Sequence, residues 1–257
     1  MAYVMLGRCE ILNDIHIAGN FKTEGISASN VALEETQNLA KIYNERCAEE
    51  SKDRELFTKV SFLNVSSALK HALDIQKDAE ILDSDIIGLG ETWLVGNQKI
   101  TLDGFQSCFA NVRNGQGTAS FFKSDLFATT SHFTSDLFTA ICVRSSKLDV
   151  IFLYLSQNFP REEVFSLIED WVTADKKTAI LGDLNWNFDE DKKHPMKDFM
   201  TAQGFSQLVK DATHEHGNIL DQVYVNKPLL MDGCYVTKHS VYYSDHDLIS
   251  LFVKKVK

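Results

Sequence analysis

The feature that most restricts the fold is a series of short apolar runs, each carrying an acid, an amide or a histidine at one end. "LFTKVSFLNV" stops on Asn64, and "SDIIGLGETWL" delivers Glu91. "ILGDLNWNF" carries Asp183 and Asn185, "ILDQVYVN" carries Asp221, and "YYSDHDLI" carries Asp245 and His246. Runs of this length, bounded by turn-forming residues, predict buried strands. Further strands are expected at "TASFFK", "DLFTAICVR", "LDVIFLYL", "GCYVTKHSVYYS" and "DLISLFVKK". Helices are expected at "REEVFSLIEDWVTA", at "HPMKDFMTAQG" and at "SALKHALDIQKDAEIL". In the last of these, Leu69, Ala72, Leu73, Ile75 and Ala79 form an apolar face. Strands outnumber helices and the helices are interspersed. The expected class is therefore an α/β sandwich of two packed sheets with helices on the outer faces.

Residues 1–56 read differently from residues 57–257. A mostly helical period through Val31, Glu35, Leu39, Ile42, Tyr43 and Cys47, with Ser29 or Asn30 as N-cap, leads into a charged stretch. It carries too little apolar surface for its own core, so an N-terminal helical appendage and linker is expected. The five cysteines are scattered with no Cys-x-x-Cys pair, which argues against a zinc site or a disulfide framework and for a reducing, intracellular compartment. Nucleus and cytosol both stay open. No apolar run approaches membrane-spanning length, and "MAYVMLGRCEIL" is a poor signal peptide. A formal net charge of −10 argues against a passive nucleic-acid-binding module. It says less against an enzyme whose carboxylates gather around a divalent metal.

Strand alternation puts Asp183 and Asn185 on one side as the chain leaves the sheet. An acid and an amide on one face suit a metal-bound or phosphate-bound reactant; they suit a tight turn equally well. One polar strand ending is ordinary turn chemistry. Several that converge at one end of a sandwich suggest a site.

The motifs "LNV", "DIIGLGETWL", "RNGQGTASFFKS", "FLYLSQNFP", "ILGDLNWNF", "ILDQVYVN" and "SDHDLI" stand in the order of one family. From about Lys59 to Val253 the chain resembles the endonuclease/exonuclease/phosphatase superfamily, which includes deoxyribonucleases, abasic-site endonucleases and retrotransposon endonuclease domains. The resemblance implies a four-layer deoxyribonuclease-like sandwich, built on two packed mixed β-sheets flanked by helices. It implies a Mg2+ cofactor, with Mn2+ as a substitute, and a DNA substrate. Glu91 would be the principal metal ligand, with Asn64 and Asp245 completing the site. Asp183 would orient or deprotonate the attacking water, Asn185 would contact the scissile phosphate, and His246, held by Asp221, would bind or protonate a phosphate oxygen. Tyr154 matches a phosphate-contacting position, and Arg113 in "NVRNGQGT" is a candidate phosphate contact.

Each role has a plainer rival. Asn64 also reads as a strand-end cap, Asp221 and His246 as satisfied core polars, and Arg113 as a solvated loop residue. "LSQ" follows Tyr154 where the family has proline, which favours core or rim for that ring. His214 and His216 lack a third partner and read as loop histidines; Trp93 and Trp186 read as packing residues. At the other end, "AYVMLGRCEILNDIHIAGNF" resembles the last conserved motif of superfamily 1 helicases from Helitron-like transposons, with Arg8 at the phosphate-sensing position. No Gly-x-x-x-x-Gly-Lys-Ser/Thr loop accompanies it, so no ATP binding is expected and Arg8 reads as a remnant. The implied protein is a DNA-nicking endonuclease of such an element, with a transposon helicase as partner. The alternatives are an inositol-phosphate type phosphomonoesterase, which lacks support from any Trp-Cys-x-Arg stretch, and an inactive remnant.

Overall fold

The computed structural model describes residues 56–112 and 116–255. The helicase-like segment with Arg8, the expected N-terminal helix and Arg113 lie outside those residues. The described residues belong to a compact unit that begins at Lys52. Its strands are β1 (Phe57–Asn64), β2 (Ile86–Gly90), β3 (Phe105–Ala110), β4 (Thr118–Lys123), β5 (Thr129–Thr134), β6 (Phe138–Arg144), β7 (Asp149–Leu155), β8 (Thr178–Asp183), β9 (Phe205–Gln207), β10 (Asp221–Asn226), β11 (Cys234–Ser240) and β12 (Asp247–Lys254). Five short helices intervene: α1 (Ala72–Ile75), α2 (Ala79–Leu82), α3 (Arg161–Trp171), α4 (Pro195–Ala202) and α5 (Lys227–Asp232).

The strands form two six-stranded sheets, ordered β11-β12-β1-β2-β4-β3 and β5-β6-β7-β8-β10-β9. Each has a parallel pair at its centre, β1 with β2 and β7 with β8, flanked by antiparallel neighbours. Strands buried on both faces explain the near-continuous apolar runs. In β7, Val150 and Phe152 point into the core between the sheets, whereas Ile151, Leu153 and Leu155 point outward under α3 and α4. The other sheet divides the same way: Phe62 and Ile249 face inward, Leu63, Ile87 and Leu89 outward beneath the α1–α2 segment. The result is the four-layer sandwich expected. Gly88 permits the close approach of the sheets, because a Cβ there would lie 2.1 Å from the Phe152 ring.

The single helix expected over "SALKHALDIQKDAEIL" is instead two short ones. Asp78 breaks it by capping α2, its Oδ1 accepting from the N–H groups of Glu80 and Ile81 at 3.0 and 3.2 Å. The Tyr243 hydroxyl donates to the same carboxylate at 2.7 Å. Ala68, Ile75 and Ile81 reach the core, and Leu69 and Leu73 stay exposed. Strands β3, β5 and β9 and helix α5 were not readable from the sequence. Edge strand β5 alternates no apolar face, and most of its residues are exposed. Among the described residues, Cys108, Cys142 and Cys234 are free thiols, and no helix is long and apolar enough to cross a membrane.

Candidate active site

The topology brings the polar strand ends to one place. The parallel strands β1, β2, β7 and β8 all leave their sheets at the same edge, and the antiparallel neighbours β10 and β12 enter there. Asp221 at the start of β10 faces Asp183 at the end of β8, and Tyr154 in β7 pairs with Asp183 from the other side. Asn64 ends β1 beside Gly90 of β2, which places Glu91 one residue further on.

Several bonds tie the two sheets at this edge, Asn64–Asp183 and Tyr154–Glu91 among them. The Asn64 Nδ2 donates to Asp183 Oδ2 at 2.9 Å, with both residues about 1% exposed. Asn64 Oδ1 accepts from the Ser66 N–H at 3.1 Å. The other Asp183 oxygen accepts from the Asn185 N–H at 2.8 Å, and Asn185 Nδ2 donates to the Leu155 carbonyl at 2.8 Å. The Gly-Asp-x-Asn stretch is therefore a turn closed by its own carboxylate and also part of the polar cluster. The two readings are compatible.

Tyr154 is 2% exposed, and its hydroxyl donates to Glu91 Oε1 at 3.1 Å. Burial, reinforced by the charges of Glu91 and Asp183, pushes the phenol pKa well up and keeps the donor protonated. Asp221 Oδ2 lies 2.8 Å from His246 Nδ1, while its Oδ1 is buried without a hydrogen-bond partner. Burial opposes charge on His246. The Asp221 bond and charge, with the charges of Asp183 and Asp245, outweigh it and raise the imidazole pKa from 6.5 to about 9. Burial and then the neighbouring Asp221 charge push Asp183 upward, against the opposing pull of His246 and the two hydrogen bonds it accepts.

Because the folded pKa of His246 exceeds its unfolded value, the ion pair stabilises fully below pH 6.5. That contribution disappears as pH rises through about 9. Thermal unfolding should therefore lose on the order of 3 kcal/mol between pH 7 and 10. Asp221→Asn should flatten that decline; an unchanged slope in that variant would break the assignment.

Asp245 accepts from the Ser66 hydroxyl at 3.2 Å. His214 Nε2 lies 3.4 Å from its other oxygen. This corrects the expectation that His214 lacks a third partner. Its Nδ1 accepts from the His216 N–H at 3.1 Å, so in the neutral ring the proton sits on Nε2, toward Asp245. An isolated β-bridge joins His214 to His246, and the rings meet edge to face at 4.7 Å. The sequence signal was "THEHGN", a histidine pair ahead of a glycine turn, but only the bridge reveals its neighbour. Trp186 packs as expected, stacked on His194 at 3.8 Å. Trp93 does not: it is 52% exposed.

The donors fit a hard divalent cation. Asn64, Glu91 and Asp245 supply only oxygens, and Glu91 Oε2 remains beside the Oε1 that Tyr154 occupies. Among the described residues, two groups of acids and histidines lie close enough to share one ion: Asp183–Asp221–His246 and His214–Asp245–His246. Glu91 belongs to neither. A cation on Glu91 would keep several waters, as magnesium does. Backbone strain also collects here, with left-handed φ at Ser66, Ser67, Glu91, Trp93 and Asn185.

This sandwich, with acid, amide and histidine at one edge of both sheets, defines a class of phosphoester hydrolases. Residues 60–246 match the model of the Endonuclease/Exonuclease/phosphatase family, and the chain belongs to that family. No curated protein is matched by the sequence itself. Among solved structures, the fold is similar to the endonuclease domain of TRAS1, a telomere-specific non-LTR retrotransposon (TM-score 0.57, 14% identity, 77% of this chain and 98% of that one). It is also similar to the 3'-5' exonuclease NExo from Neisseria meningitidis (TM-score 0.63, 16% identity, 76% and 98%). An AP endonuclease from Archaeoglobus fulgidus gives a TM-score of 0.60 at 18% identity over 76% and 98%.

Proposed function

We propose that the chain is a magnesium-dependent phosphodiesterase that nicks DNA and leaves 3′-hydroxyl ends. The observation that carries this reading is the Asn64–Asp183 bond across the sheets, set beside the Asp221–His246 pair. Asp183 has the raised pKa that a general base needs near neutrality, and it orients the attacking water. His246, held cationic by Asp221, neutralises charge on a non-bridging phosphate oxygen. Asn185 donates to the scissile phosphate, and Tyr154 steadies the Glu91 carboxylate. His214 and Ser66 hold Asp245 from its two oxygens. When bound to Glu91, Asn64 and Asp245, the cation supplies charge neutralisation at the phosphate and the leaving oxygen. Water adds to phosphorus as Asp183 takes its proton, the P–O3′ bond breaks, and the leaving O3′ takes up a proton from solvent.

The relatives' names support a nucleic-acid substrate, since they describe endonucleases and an exonuclease, and one is described as a 3' phosphatase bound to product DNA hairpin. The test compares a phosphodiester, bis(4-nitrophenyl) phosphate, with inositol polyphosphates, in magnesium and in chelator. Diester hydrolysis that needs magnesium, with no phosphate released from the inositol compounds, is expected. Phosphate release without diester cleavage would make the chain a phosphomonoesterase.

A further inference from the structure

Trp93 stands two residues beyond Glu91, a separation that spans at most about 7 Å of chain. Trp93 is 52% exposed. The residues on either side are fully buried: Thr92 and Leu94 both have 0% exposure. The Thr92 N–H donates to the Gly117 carbonyl at 3.0 Å, and its own carbonyl accepts from the Ala68 N–H at 2.8 Å. Leu94 belongs to the cluster beneath α1 and α2. The ring therefore rides on a backbone anchored on both sides.

That backbone is also strained. Trp93 has φ 55° and Glu91 has φ 47°, a left-handed region that disfavours large side chains. A bulky aromatic residue held outward by strained, anchored backbone costs stability through both the strain and the unburied ring. Strain of this kind persists where function uses it. Electrostatics point the same way. A net charge of −10 weakens the share of nucleic-acid affinity that phosphate neutralisation can supply. A rigid aromatic face supplies affinity without positive charge.

We infer that Trp93 is a stacking platform for an unpaired nucleobase of a strand bound at the Glu91 side of the site, so that single-stranded or locally unpaired DNA is the preferred substrate. In an intact duplex the faces of each base are covered by its neighbours; an unpaired base offers a free face to the indole. This inference rests on the functional reading above, and the test separates the two.

Binding of fluorescein-labelled single-stranded oligothymidylate and of a blunt duplex is measured by anisotropy, in chelator, for wild type, Trp93→Ala and Trp93→Phe. Hydrolysis of bis(4-nitrophenyl) phosphate in magnesium is measured in parallel. The expected result is tighter binding of the single strand than of the duplex, weakened roughly tenfold or more in Trp93→Ala and largely kept in Trp93→Phe. Small-diester hydrolysis should be unchanged in both variants. Equal single-strand binding by wild type and Trp93→Ala overturns the inference, as does no binding by a wild type that still cleaves the small diester. Trp93-dependent binding by a protein that cleaves nothing keeps the inference and removes the catalytic reading.

Discussion

His246→Ala is expected to lower kcat for phosphodiester hydrolysis by about 10²–10⁴-fold with little change in KM. The imidazole is 6% exposed and is held by Asp221 at 2.8 Å, so its charge develops no reorganisation cost when the phosphate gains negative charge. Asp221→Asn should act through the same group. It keeps a side-chain oxygen near Nδ1 but removes the negative charge that raises the His246 pKa to about 9. The alkaline limb of the kcat profile should therefore move to lower pH, because the charged imidazole is lost earlier. Circular dichroism separates this from unfolding. A folded His246→Ala protein with wild-type kcat would remove the histidine from the reaction.

Gly182→Ala is the second large effect, and it acts on the fold. A Cβ at this position would lie 1.7 Å from the Leu153 carbonyl oxygen and 2.7 Å from its carbon. Both atoms are backbone of β7, the parallel partner of β8, so no side chain can turn aside. Forcing the strands apart should cost about 3 kcal/mol or more, a large share of the ~5–15 kcal/mol that holds a domain together. The melting temperature should fall by about 10 °C. Asp183 and Tyr154 ride on the same strand pair, so residual activity should fall as well. Gly204→Ala provides the contrast. That glycine has open space around its Cβ position and a φ of +77°, so only the backbone strain of about 1 kcal/mol applies. Equal melting temperatures for Gly182→Ala and wild type would show that the close approach of β7 and β8 is not required.

The glycine of Gly-Asp-x-Asn thus has a packing reason and its acid a polar one, and only the acid was legible in the sequence. Strands β7, β8 and β10 were readable because burial on both faces leaves an uninterrupted apolar run. Their polar ends were readable as exceptions to that run. Edge strand β5 was not, because solvent on one side removes the apolar signal that marks a strand. The break between α1 and α2 depends on Asp74 and Asp78, which take the hydroxyls of Tyr242 and Tyr243 from the far end of the chain. No local period encodes that. His214 stayed hidden for the same reason, since its partner Asp245 arrives through a bridge between distant loops. Trp93 was misread as a packing residue: the burial of threonine and leucine in "ETWL" leaves tryptophan outside.

The measurement that bears most directly on the central claim is conversion of supercoiled plasmid to the open circle. Wild type in magnesium should nick the plasmid, and the nicks should prime a polymerase without prior end repair. Chelator, or Asp183→Asn in place of wild type, should leave the plasmid supercoiled. Folded wild-type protein that leaves it supercoiled in saturating magnesium would contradict the assignment of this edge of the sandwich as a DNA-nicking site.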